Sequence, residues 1–167
     1  MAVDKTKIIS SYGTVLMSDV GGTPTDLGYT RGGVSITKSY DTRNVEADQT
    51  RHPLYIQPTA ESYAIHFALL EITCAHLREV MGEAADVGGT SLSLGMYSDN
   101  PIEKEIIVYA KRKDDKYVKF TFYRCILTGC DSMEATKDGE VLLGATFTAA
   151  FNDATQSIGL MEEVATP

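Results

Sequence analysis

Apolar residues alternate with small or polar ones along most of this chain, and this period of two restricts the fold more than any other feature. Successive side chains of a strand leave on opposite faces, so the pattern describes sheets with one dry face and one wet face. Val34, Ile36 and Tyr40 alternate with Ser35, Thr37 and Ser39. Tyr63, Ile65, Phe67 and Leu69 alternate with Ser62, Ala64, His66 and Ala68. Val118, Phe120, Phe122 and Ile126 alternate with Lys119, Thr121, Tyr123 and Cys125. Lys38 and Arg124 interrupt the first and third of these sets. Val141, Leu143, Ala145, Phe147, Ala149 and Phe151 alternate with a set that includes Gly144, Thr146 and Thr148. Residues 13–17 and 103–111 predict two further strands.

The breaks between these runs carry turn chemistry. Asp19-Val20-Gly21-Gly22, Arg31-Gly32-Gly33 and Lys137-Asp138-Gly139 supply residues that tolerate positive φ. Lys113-Asp114-Asp115-Lys116 reads as a hairpin tip. Pro53 and Pro58 flank Leu54-Tyr55-Ile56, which predicts an exposed extended loop or a sheet edge. One segment departs from the period of two. Between Glu71 and Met81, Cys74, Leu77, Val80 and Met81 recur at helical spacing, and Gly82 follows as a C-cap. Such a helix needs a surface for its apolar stripe, and a sheet face is the expected one. Seven or eight strands and one helix predict a mainly β chain: an antiparallel sandwich or barrel protomer with one flanking helix.

At 167 residues the chain suits one domain, residues 1–167, with an N-terminal arm over 1–12, a long loop over 41–59 and a polar tail over 152–167. The net charge of −8 argues against a surface that grips nucleic acid, since the one basic cluster, Lys111-Arg112-Lys113, runs straight into Asp114 and Asp115. No stretch has the length of a membrane span, and Met1-Ala2-Val3-Asp4-Lys5 does not open like a signal peptide. Synthesis in a host cytoplasm is therefore expected.

Searches for catalytic constellations return little. Gly89-Thr90-Ser91-Leu92-Ser93 starts like a nucleophile elbow and lacks its closing glycine. No phosphate-cradling Gly-x-x-x-x-Gly-Lys run is present. Cys74, His76, Cys125 and Cys130 have no spacing that requires zinc, and Cys74 and His76 point to different helix faces. His66, on a small and polar strand face, reads as a solvated or hydrogen-bonded residue. Glu103 and Glu105 share a strand face, where a solvated role outweighs acid–base work. The expectation is no catalytic residue, no metal and no cofactor. A carbohydrate- or ligand-binding β-sandwich module is the alternative, although such sites favour tryptophan and this chain has none.

Four stretches together resemble the phage major tail tube protein family. Asp26-Leu27-Gly28-Tyr29-Thr30-Arg31-Gly32-Gly33-Val34-Ser35-Ile36 is similar to its Gly-Tyr/Phe-Thr-x-Gly-Gly-Val opening. Val45-Glu46-Ala47-Asp48-Gln49 resembles its acidic Val-x-x-Asp-Gln segment. Ile65-His66-Phe67-Ala68-Leu69-Leu70-Glu71-Ile72-Thr73, leading to Gly82, is similar to its strand–Glu–helix–Gly passage. Asp138-Gly139-Glu140-Val141, continuing to Phe151, resembles its last strand. The likeness spans roughly residues 13–151, and it extends to contractile-tail and type VI secretion tubes. It implies a structural subunit of the virion tail whose strands join an oligomeric barrel. It implies six-fold rings stacked into a hollow conduit for DNA delivery. The expected partners are sister copies, tail terminator and baseplate or tail-tip proteins, with a sheath as a further candidate; DNA passes without being bound.

On that reading Ser35, Thr37, Ser39, Ser62, Ala64 and Ala68 are the candidates for the lumen face, being small and uncharged. The loop over 41–59 is the candidate contact with a neighbouring subunit or ring, through Arg43, Glu46, Asp48, Arg51, Leu54 and Tyr55.

Overall fold

The computed structural model describes residues 9–45, 55–81, 102–131 and 139–167. Among these are eight strands and one helix: β1 (Ile9–Asp19), β2 (Thr25–Asp26), β3 (Thr30–Val45), β4 (Tyr55–Leu69), α1 (Cys74–Met81), β5 (Glu103–Arg112), β6 (Tyr117–Cys130), β7 (Leu143–Ala149) and β8 (Gly159–Val164). The mainly antiparallel β class is as the alternation predicts. Its layers, however, are two wings of one open sheet in the order β2-β1-β5-β6-β7-β4-β3, with β8 added on β6.

β6 is where the wings part. One of its edges pairs with β5 along residues 117–126. The other pairs with β8 at Tyr117 to Phe122 and with β7 at Cys125 to Cys130. At the change of partner, Lys104 opposes Cys125 while Ile106 opposes Phe122, so β6 holds one residue more than β5 there. This bulge shifts the side-chain phase. Cys125 is therefore buried where simple alternation predicts Ile126, and Arg124, the residue that spoils the pattern, sits in the bulge with its guanidinium 2.5 Å from Glu103 Oε1.

Both wings contribute to a single core. Val15 and Met17 of β1, with Ile106 and Val108 of β5, pack in one cluster with Ile65 and Phe67 of β4 and Phe147 of β7. Phe67 and Phe147 stack with ring centroids 5.8 Å apart. The helix is shorter than the periodicity predicts. Thr73 Oγ1 accepts from the His76 backbone N–H at 3.1 Å and caps its start. Val80 enters the core cluster, and Glu79 meets Lys104 at 3.0 Å. The Lys104 side chain is almost wholly buried, and Asp19 takes its ammonium at 2.8 Å. The helix thus covers the end of the core where β1 finishes and β5 begins, with a buried cation held between two carboxylates.

Three expected boundaries need correction. The loop expected over 41–59 is narrower, because β3 continues to Val45 and β4 begins at Tyr55, paired residue by residue. The expected C-terminal tail contains β8, which Arg112 pins through Glu163 at 3.0 Å. Of the expected N-terminal arm, residues 9–12 already belong to β1. Arg31-Gly32-Gly33 is also not a turn between strands. Gly32 and Gly33, at φ 78° and 79°, form a bulge inside β3 between Arg31 and Val34.

The outer halves of β3 and β4 leave the body as a two-stranded arm. From Tyr40 to Val45 and from Tyr55 to Glu61 every residue is exposed. Phe147→Ala should therefore lower the unfolding free energy of the isolated subunit by roughly 3–5 kcal/mol, while Ile56→Ala on the arm should change it by less than about 0.5 kcal/mol. Urea denaturation reads both, and equal losses would contradict this division into core and arm.

Candidate functional site

A strand left at the border of a sheet offers unpaired backbone groups to any partner. β3 is the end strand of its wing and pairs only with β4 among the described residues. At the far side of the same wing, β6 beyond Ile126 has lost β5. Among the described residues, the wing β3-β4-β7-β6 is thus a four-stranded wall with an unpaired edge on each side.

The wall's core face is apolar, and the opposite face is small and hydroxylated. Ser39 lies opposite Ser62, Thr37 opposite Ala64, and Arg31 opposite Ala68. All six residues that the sequence nominates for a lumen share this face: Ser35, Thr37 and Ser39 exposed, Ser62, Ala64 and Ala68 half-buried. β7 extends the rows, with Thr148 beside Ala64 and Thr146 beside His66. Ser39 and Ser62 hydroxyls bond at 2.9 Å, and those of Thr128 and Thr148 at 3.1 Å. Hydroxyls that satisfy one another present a surface with few donors left for a third group.

Arg31 and His66 reach this face, and each meets an acid; at the β6 margin Arg124 likewise bonds Glu103, which lies opposite Ile126. Arg31 is bonded to Glu140, and His66 Nε2 lies 3.2 Å from Asp131 Oδ2. Both acids lie on the connection between β6 and β7. The sequence alone points to neither Thr128 nor Asp131, and it reads His66 as a solvated or hydrogen-bonded residue. The alternation does put His66 and Thr146 on the polar side of their strands, but Asp131 reaches its partner across 65 residues, which no local pattern reports.

Of the contact candidates, Arg43 and Tyr55 lie in the arm, while Glu46, Asp48, Arg51 and Leu54 fall outside the described residues. The arm adds Tyr40 and Ile56, both more than half exposed. At its foot Lys38 bonds Glu61 at 2.7 Å and stands 4.9 Å from the Tyr40 ring centre. The bond to Glu61 raises the lysine's pKa and, reciprocally, lowers that of the glutamate. Behind them an apolar hollow of about 670 Å³ opens between Ile36 and Tyr63 on one side and Phe120, Phe151 and Met161 on the other.

The stretch that begins the wall is built around Gly28, at φ 78°. Asp26 Oδ1 accepts its N–H at 2.9 Å, and the Glu71 carboxylate occupies the room a Cβ would need, 2.6 Å away. Leu70 N–H donates to Tyr29 carbonyl at 2.9 Å, so the entry to β3 and the exit of β4 are tied. Among the described residues no three of His, Cys, Asp and Glu gather in a metal-ligating cluster. His76 Nδ1 instead meets the Glu71 carbonyl at 2.9 Å.

A family model described as phage tail tube protein matches residues 4–164. No curated protein sequence matches the chain. The cap that terminates the anti-feeding prophage tube is similar in structure, with TM-score 0.53 and 12% identity over 97% of this chain and 94% of that one. A chain of the six-fold symmetrised anti-feeding prophage baseplate gives TM-score 0.50 and 10% identity over 98% and 97%. A chain from the tail of an empty gene transfer agent particle gives 0.48 and 11% over 89% and 92%. At such identities the structural likeness speaks for the fold alone.

The three thiols differ in access. Cys125 is buried, and burial pushes its pKa up to about 12, so at pH 8 it is a protonated, covered thiol. Cys130 is exposed, with a pKa raised by desolvation and by Asp131. Ellman's reagent at pH 8 should titrate Cys130 of the folded subunit, more slowly than free cysteine, and reach Cys125 only after denaturation. Rapid native reaction at Cys125 would refute the packing of the β6 bulge.

Proposed function

The chain belongs to the phage tail tube protein family, and from that premise we propose that six copies close into a ring, that rings stack into a tube, and that the wall described above faces the bore through which DNA leaves the particle. The observation that carries this reading is the pair of open wall edges. β3 and the end of β6 are different surfaces, so joining one to the other on the next copy is a heterologous contact, which closes into a ring when the rotation returns to its start. Closure removes both edges and turns separate walls into one barrel. Six-fold symmetry accords with the symmetrised assembly that contains a similar chain.

The wall's chemistry suits a conduit. Phosphates adhere to free cations, and here Arg31 and His66 are both met by carboxylates, as is Arg124 by Glu103 at the β6 margin, while most other described residues of the face are small, hydroxylated or apolar. The chain's charge of −8 adds repulsion rather than grip. Isolated two-stranded ribbons are marginal in water, so the arm, with Tyr40, Tyr55 and Ile56 exposed, gains its order from a neighbouring subunit or ring. Terminator and baseplate or tail-tip proteins would then meet the same surfaces at the tube's ends, and a sheath, where the tail is contractile, its outside. The role is structural, without catalysis or cofactor.

Electron micrographs of concentrated protein should show rings or tubes, and scattered monomers would overturn the reading. Tyr40→Asp with Ile56→Asp should leave a folded monomer, unchanged in urea midpoint, that no longer polymerises; normal tubes would remove the arm's role. Thr37→Lys and Ser62→Lys should assemble normally yet deliver DNA poorly. Undiminished delivery by those lysine variants would argue that the wall does not line the bore.

A further inference from the structure

We propose that Asp131 is a positioning residue of the bore: seated over Gly144, it engages the ring N–H of His66 and so withholds that donor from passing phosphates. The inference rests on the channel reading above. His66 projects from the middle of the wall, opposite Ser35 on β3 and Thr146 on β7. Its side chain is 45% exposed and that of Asp131 66%, so the pair stands in solvent above the wall. The other charged groups on this face bond each other in pairs, Arg31 on β3 with Glu140 ahead of β7, and Arg124 on β6 with Glu103 on β5; β7 presents Gly144, Thr146 and Thr148 toward the ring.

The seat is specific. Asp131 N–H donates to the Gly144 carbonyl at 2.8 Å, which fixes the backbone beside the strand. A Cβ on residue 144 would stand 2.7 Å from Asp131 Cγ and 2.9 Å from its Cβ, closer than real contacts allow. Gly144 does not have a positive φ. Its lack of a side chain therefore serves space: it lets the carboxylate lie across β7 to the imidazole on β4.

The chemistry follows from the inventory of the ring. A neutral imidazole has one N–H and one acceptor nitrogen, and a carboxylate at Nε2 selects the tautomer with the proton there. Engaged in that way, the N–H is unavailable to a phosphate oxygen, and the carboxylate adds a repulsive charge. Without Asp131 each copy would offer a donor in the bore, repeated around every ring.

Three variants separate the contributions. Asp131→Asn keeps an acceptor and loses the charge, Asp131→Ala loses both, and Gly144→Ala leaves the acid intact but unseats it. ¹⁵N-resolved NMR of the histidine-labelled, unassembled subunit should show a His66 ring N–H held against exchange with water in the parent and in Asp131→Asn, and a freely exchanging one in the other two. Tubes of each, counted by electron microscopy, are then incubated with a fluorescent single-stranded DNA oligonucleotide at about 50 mM salt and sedimented. Retention should rise several-fold for Asp131→Ala and Gly144→Ala, disappear near 200 mM salt, and return to the parent level when His66→Ala is added. Unchanged exchange of the ring proton, unchanged retention, or a rise that survives removal of His66 would overturn the proposal while leaving the tube intact. Failure of the parent protein to form tubes would overturn both.

Discussion

A β-strand has two hydrogen-bonding edges, yet β6 serves three neighbours, and the rest of the structure follows from how it does so. One edge is given to β5, and the other is divided between β8 and β7. The division requires a change of direction, and the extra residue at Tyr123–Arg124 supplies it. Backbone groups at the change are still paired: Ala150 N–H donates to the Arg124 carbonyl at 2.8 Å, and Tyr123 N–H meets the Ile158 carbonyl at 3.4 Å. Before the bulge Val118 and Phe122 face the core; after it Cys125 does, and Leu127 packs partly against it. A single strand can then line the core from two directions, which is why one open sheet performs the work of a sandwich.

The same division leaves the wall exposed. Because β5 stops pairing at Ile126, the last part of β6 carries an edge that no other described residue pairs with, and because β3 is last in its wing, it carries another. Natural monomers shield such edges with charges, prolines or covering segments. β3 has its devices: a Gly32-Gly33 bulge at one end and Lys38 midway. Lys38, however, is drawn to Glu61 on β4 and leans over Tyr40, so it points along its own hairpin rather than guarding the border. Between bulge and arm the edge is long and regular, a disposition suited to one repeated partner.

How much of this is legible in the sequence depends on the range of the interaction. Period-two alternation reports which residues share a face, and so it places all six wall residues, Ser35 to Ala68, without any knowledge of the partner strands. It fails where a bulge resets the phase. Arg31-Gly32-Gly33 looks like a turn because glycines at positive φ serve turns and bulges alike, and only the register with Ala68 and Phe67 distinguishes them. β8 is hidden for another reason. Its burial does not alternate, with Leu160 and Met161 both exposed, and it is held by backbone pairing to β6 and by Arg112 and Lys119 on Glu163 and Glu162. Those partners lie about forty to fifty residues away, so the tail reads as merely polar. The arm is misjudged as loop because its strands bury no face, and alternation has nothing to report there.

The charges of the wall show how a passive surface is nonetheless specified. A neutral face could be made by omitting every ionisable group, but the wall keeps Arg31 and His66, matched with acids from one connection, and Arg124, matched with Glu103. Exposed pairs of this kind contribute little to stability, roughly 0–1 kcal/mol. Their placement therefore needs a reason other than folding energy. Arg31 precedes the β3 bulge, and Glu140 lies just before β7, so their bond ties the first strand of the wall to the third across β4. Asp131 does the same from β6 to β4. The ties run across the strands, in the direction of the inter-strand hydrogen bonds, and they lie in the part of the wall away from the arm. Electrostatic matching and strand alignment are thus served by the same four side chains: the groups that would hold a phosphate are spent on holding the wall's own strands together.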